Sequence, residues 1–138
     1  MKSELSKKND YWIPKHRYYE LKHFCYQKDS WEKAIKCIDG MSEMPKDILE
    51  KVQSFEHGDP TYQAAATRAY YKQRLDMLDM ALYMTTSEPA LIEDLKAVIF
   101  DPGMSYDKRS ALHIMTCGRT TFYKLYRKFF WCLSQLRE

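Results

Sequence analysis

Residues 105–133 read SYDKRSALHIMTCGRTTFYKLYRKFFWCL, and the fold turns on how this stretch is parsed. Ser105 follows Pro102 and Gly103 and can cap a helix, because its hydroxyl can accept one of the amide hydrogens that a first turn leaves unpaired. Tyr106, Arg109 and the apolar pair Ala111 and Leu112 suit a short amphipathic helix ending near His113. Thr116, Cys117 and Gly118 supply turn chemistry, and a second helix starts near Arg119. In that helix Phe122, Leu125, Tyr126, Phe129, Leu133 and Leu136 recur at helical spacing and form one apolar stripe. The stretch reads as a helix-turn-helix. Thr120, Tyr123, Lys124, Arg127 and Lys128 face away from the stripe, with Arg119 at the helix start, where recognition helices carry base-reading residues.

Helix pairs of this kind also occur in proteins that bind no DNA, so charge has to weigh the alternatives. Residues 104–138 carry seven Lys or Arg against Asp107 and Glu138, a net charge of +5, whereas the chain as a whole is only +3. Residues 1–23 net +3 and residues 24–103 net −5. Positive charge gathered on a helix-turn-helix is the footprint of phosphate binding. Lys108, Arg109, Lys124, Arg127 and Lys128 are the expected phosphate contacts, and Arg119, Thr120, Thr121 and Tyr123 complete the expected DNA-binding set.

Outward from this stretch, 138 residues with 4 Gly, 5 Pro and no sustained alternation of apolar and polar positions predict an all-α fold. It is expected as a helical bundle with a long central helix and the C-terminal helix-turn-helix. Residues 1–10 are polar and charged, and are expected to be a flexible tail. From Pro14 an aromatic helix follows, with Tyr18, Leu21 and Cys25 on one stripe and Tyr19, Phe24 and Tyr26 beside it. Ser30 is placed to cap a second helix, with Trp31, Ala34, Ile35 and Ile38 on its apolar side and Gly40 at its end. Residues 44–55 form a short helical pattern through Ile48, Leu49, Val52 and Phe55.

Asp59 and Pro60 then open the longest element, running to Thr85. It has two apolar seams. Tyr71, Leu75, Leu78 and Leu82 make one, and Ala66, Ala69, Met77, Met80 and Met84 the other; the expectation is a central helix packed on both sides, with a homodimer seam as the alternative. Ser87, Glu88 and Pro89 restart the chain into a helix whose Leu91, Ile92, Leu95, Val98 and Ile99 form a platform for the helix-turn-helix. The division expected is 11–87 for an N-terminal helical region and 88–138 for the DNA-binding region.

No stretch carries a seat for catalysis, such as a nucleophile elbow, a glycine-rich phosphate loop or an HExxH pair, so no enzyme and no cofactor are expected. His16, His23 and Cys25 are spaced too loosely for a zinc site, and no metal is expected. Cysteines 25, 37, 117 and 132 have no CxxC spacing and read as reduced thiols. With no membrane-length apolar run and no signal-peptide core in MKSELSKKNDY, the expected place is the cytoplasm, without a membrane partner.

The order YWIPKHRYYELKHFC, a Trp-centred helix, DPT opening a long helix, GMSYDKR and finally CGRTTFYKLYRKFFWCL resembles the small ArpU/RinA-type transcription regulators of phages and prophages of Gram-positive bacteria. The likeness spans nearly the whole chain. Its most telling piece is Gly118-Arg119-Thr120-Thr121-Phe122-Tyr123 followed by Arg127-Lys128-Phe129. The resemblance implies a helix-turn-helix like the promoter-reading domain of sigma factors, control of late phage genes and a bacterial host cell. Double-stranded DNA is then the first partner. A DNA-packaging or assembly subunit and an adaptor on host RNA polymerase are the competing functions.

Overall fold

The structure is a computed structural model that describes residues 10–41, 60–113 and 115–138. The helix expected at 44–55, the Asp59 cap and residues 1–9 of the expected tail lie outside those residues. Six α-helices and no strand are described: α1 (Lys15–Cys25), α2 (Lys28–Met41), α3 (Pro60–Thr85), α4 (Pro89–Ile99), α5 (Tyr106–Leu112) and α6 (Arg119–Leu136). The all-α expectation is met.

The chain divides into two compact units, residues 1–27 with 77–138, and residues 28–76. This grouping differs from the expected 11–87 and 88–138. The reason is α1, whose buried Tyr18, Leu21, Phe24 and Cys25 pack against α6 although more than a hundred residues separate them. The Tyr18 and Tyr126 hydroxyls share a buried hydrogen bond of 3.0 Å, and burial pushes both phenols up, so both stay neutral. Tyr18 also meets Phe130 edge-on at 5.1 Å. At the far end of the pair, Arg17 donates to the Ser134 hydroxyl at 3.2 Å, and the Arg137 guanidinium covers the Phe24 ring at 3.9 Å while its Nη1 lies 3.5 Å from Glu20.

The apolar face of α6 is broader than the expected stripe. Phe122, Tyr126, Phe129 and Leu133 are buried, Leu125 and Leu136 are only half-buried, and Phe130 and Cys132 join the core at 1% and 2% exposure. In α4, Ile92, Leu95, Val98 and Ile99 are buried and Leu91 is half-buried, as a platform requires. Pro89 occupies the first turn, where its missing N–H costs nothing.

α3 does not meet the expectation of two packed faces. Leu78, Ala81, Leu82 and Thr85 are buried, and Tyr71 and Leu75 half-buried, so the first seam points into the protein. The second stays outside: Ala66 and Ala69 are exposed, Met80 is 54% and Met84 45% exposed, and Met77 is half-buried.

In the unit of residues 28–76, Trp31 is 4% exposed, with Ala34, Ile35 and Ile38 half-buried on the same side of α2. The Arg74 guanidinium stacks on Tyr70 at 3.8 Å, and Arg68 bonds Asp39 at 2.8 Å. Ser30 and Gly40 are not helix ends here. The helix starts at Lys28, whose ammonium pairs with Glu32 one turn on, and it runs through Gly40 to Met41; a Cβ at Gly40 would touch nothing within 4 Å.

Candidate nucleic-acid interface

The Ser105 cap forms as expected, accepting from the Lys108 amide at 3.2 Å, and Asp107 adds a carboxylate in the first turn. α5 buries no residue, however. Ala111 is exposed and Leu112 is 81% exposed, so the apolar pair expected to face inward faces solvent. Seven residues make too short a helix to hold itself, and two longer side chains at its start and middle anchor it instead. Tyr106 packs on Phe122 with ring centroids 5.2 Å apart and donates its hydroxyl to the Cys117 carbonyl at 2.9 Å. Arg109 reaches back to α4, where Nε and Nη2 lie 3.1 and 3.0 Å from Asp94 Oδ1.

Asp94 is the centre of this region. It is 1% exposed, and its second oxygen accepts the Thr116 backbone N–H at 3.0 Å. Burial alone would raise its pKa, but hydrogen bonds from Thr116 and Arg109 and the Arg109 charge outweigh burial and hold the carboxyl below its ordinary value. One carboxylate therefore joins α4, α5 and the turn before α6. Sequence reading passed over it, because a lone Asp beside Glu93 looks like part of a solvated edge.

Gly118 caps α6 at φ −72°, with nothing within 4 Å of a Cβ, so the turn does not depend on glycine. Cys117 is half-buried, and its thiol is pushed up by burial and by the charges of Asp94 and Glu88, which keeps it protonated and a poor nucleophile. Cys25 and Cys132 are buried and Cys37 is exposed, and all four cysteines are free.

The expected contact residues separate into three groups. Arg119, Thr120, Thr121 and Lys124 are exposed and share the first turn and a half of α6. Arg119 is steadied on two sides, with Nη2 3.8 Å from Asp107 and its guanidinium 5.7 Å from the Tyr123 ring. That ion pair is exposed at both ends and holds Arg119 only weakly. Tyr123 is half-buried, with ring contacts to Tyr106, Phe122 and Tyr126.

Arg127 and Lys128 form the second group, half-buried a turn further on; Arg127 Nε is buried without a hydrogen-bond partner, and Lys128 Nζ lies 6.0 Å from the Tyr11 ring. Tyr11 also meets Trp131 edge-on at 5.5 Å, so aromatic rings continue the basic face toward the end of α6. The third group is turned to structural partners. Lys108 donates to the Gly103 carbonyl at 3.0 Å, and Arg109 is bound to Asp94.

Among the described residues no three His, Cys, Asp or Glu come together as a metal site, and no helix is long and apolar enough to cross a membrane. No family model, curated protein or solved structure matches the chain.

Proposed function

We propose that α5 and α6 act as a helix-turn-helix on double-stranded DNA, and that the protein is a sequence-specific regulator of phage or prophage late genes, as the likeness to ArpU/RinA regulators implies. One observation carries the reading. Arg119, Thr120, Thr121 and Lys124 are exposed together at the start of a helix whose opposite face is fixed in the core, on a segment of net charge +5. The N-terminal end of a helix docked in the major groove is where side chains reach base edges. Arginine or lysine there can donate to guanine O6 and N7, and threonine can offer a methyl to thymine.

Selection of sites from randomised DNA, compared between wild type and Arg119→Ala, tests this reading. A shared consensus that relaxes at one position in the variant is the expected result, with discrimination there falling by about 1 to 3 kcal/mol. No consensus from wild type removes sequence-specific regulation and favours DNA packaging, and no DNA affinity at all favours an adaptor that contacts only protein.

Lys124 separates phosphate from base contact. Lys124→Ala is expected to weaken binding about equally on every sequence and to flatten the log-log salt slope by about 0.9. A slope equal to that of wild type takes Lys124 off the phosphate list.

A further inference from the structure

We infer that the outer face of α3 is a homodimer interface, in which two copies of the helix pair antiparallel about Gln73. α3 is one unbroken helix, so the angular placement of its side chains follows from helix geometry at about 100° per residue. Tyr62, Ala66, Ala69, Gln73, Met77, Met80 and Met84 fall within a sector of about 80°, opposite the buried Leu78 and Leu82. Tyr62 is 72% exposed, and Tyr83 on the edge of the stripe is 68% exposed. A run of this length, about 33 Å of helix carrying large apolar side chains in water, marks an interaction surface.

The pattern of the stripe selects a second copy as its occupant. Its spacings are 4-3-4-4-3-4, and they read the same in both directions from Gln73. A two-fold axis at Gln73 sets Ala69 against the partner's Met77, Ala66 against the partner's Met80 and Tyr62 against the partner's Met84. In the two layers beside the axis alanine meets methionine, which lets the helices approach there, while the larger Tyr62 and Met84 meet at the ends. At the axis the two Gln73 amides meet and can bond each other, since each is both donor and acceptor.

Charge agrees with the same register. From Arg68 to Arg74 the helix carries only positive residues, and from Asp76 to Asp79 only negative ones. Antiparallel pairing brings Lys72 beside the partner's Asp76. Both side chains are 56% exposed, and within one copy they already lie 3.0 Å apart. Parallel pairing would set like charges side by side.

Sedimentation of the full chain over a wide concentration range is the test. A reversible dimer is expected, and Met80→Glu, at a position exposed in the single copy, should weaken it by roughly ten-fold or more while leaving the thermal melt of the monomer unchanged. Cross-linking fixes the register. In a Cys37→Ser, Cys117→Ser background, Gln73→Cys should form an intermolecular disulfide. Ala69→Cys alone should not, because its image lies about 12 Å along the axis, but mixed with Met77→Cys it should. A monomer at all concentrations overturns the inference, as does a dimer indifferent to Met80→Glu or a Gln73→Cys protein that stays uncross-linked. A monomer destabilised by Met80→Glu means that the stripe is covered within its own chain, which equally overturns it. None of these outcomes bears on whether α6 reads DNA.

Discussion

Leu78→Lys is expected to unfold the unit built from residues 1–27 and 77–138. Leu78 is 0% exposed and its helix neighbours Ala81 and Leu82 are as deeply buried, so the new ammonium would be taken out of water into the core. An unpaired buried charge costs several kcal/mol, a large part of the roughly 5 to 15 kcal/mol that holds an ordinary domain together. Circular dichroism during heating should show a loss of the cooperative transition or a fall of tens of degrees in its midpoint, by the usual conversion of several kcal/mol for a domain of this size. Met80→Glu, two residues along on the opposite face, is the control that should melt like the wild-type monomer when both are heated at concentrations too low for association. If Leu78→Lys instead yields a well-folded protein, the seam of Tyr71, Leu75, Leu78 and Leu82 is not core.

The two seams of α3 show what apolar periodicity can and cannot reveal. Spacing places Leu78 and Leu82 on one face and Met80 and Met84 on another, and both placements hold in the helix. Spacing says nothing of what each face meets. The same limit appears in α5, where Ala111 and Leu112 fit an inward stripe but the helix is held by the Tyr106 ring and the Arg109 guanidinium, leaving the pair in water. α1, α4 and α6 were legible because their apolar residues are numerous and large, so that burial of one face dominates every local preference. Even there Phe130 was left out, since a stripe drawn through Tyr126, Phe129 and Leu133 is complete without it, and its ring contact with Tyr18 of α1 is not visible along the helix.

The candidate site was legible as charge and helix position, not as environment. Arg119, Thr120, Thr121 and Lys124 lie exposed together, as the sequence suggested. Arg109 and Lys108 carry the same formal charge, yet Arg109 is tied into the scaffold by Asp94, and Lys108, though exposed, is bonded back to the Gly103 carbonyl. A sequence cannot distinguish these arginines and lysines, because the distinction lies in an acid 15 residues away in the chain.

That acid gives the second large effect. Asp94→Ala is expected to destabilise the protein by about 3 kcal/mol, because it leaves the Arg109 guanidinium, only 22% exposed, and the Thr116 N–H without their acceptor. The loss should be shared rather than additive: with Arg109→Ala already in place, Asp94→Ala should cost less by about 1 kcal/mol or more, the coupling of a contacting pair. The pH dependence has a definite sign. A carboxyl whose pKa is lowered by folding contributes stability that is fully present above its unfolded value of about 3.9, and that contribution is lost as pH falls through the lower folded value. Wild-type stability should therefore decline in acid below about pH 4, and Asp94→Asn should be less stable at neutral pH with a shallower acid limb. Because Asp94 holds the turn two residues before the Gly118 cap of α6, the loosened variant should also bind DNA more weakly, on every sequence alike, if α6 enters the groove as proposed. Urea titrations of wild type and Asp94→Asn between neutral pH and pH 3 read the coupling directly, and acid limbs that superimpose would show that Asp94 is not the group whose charge ties α4, α5 and the turn together.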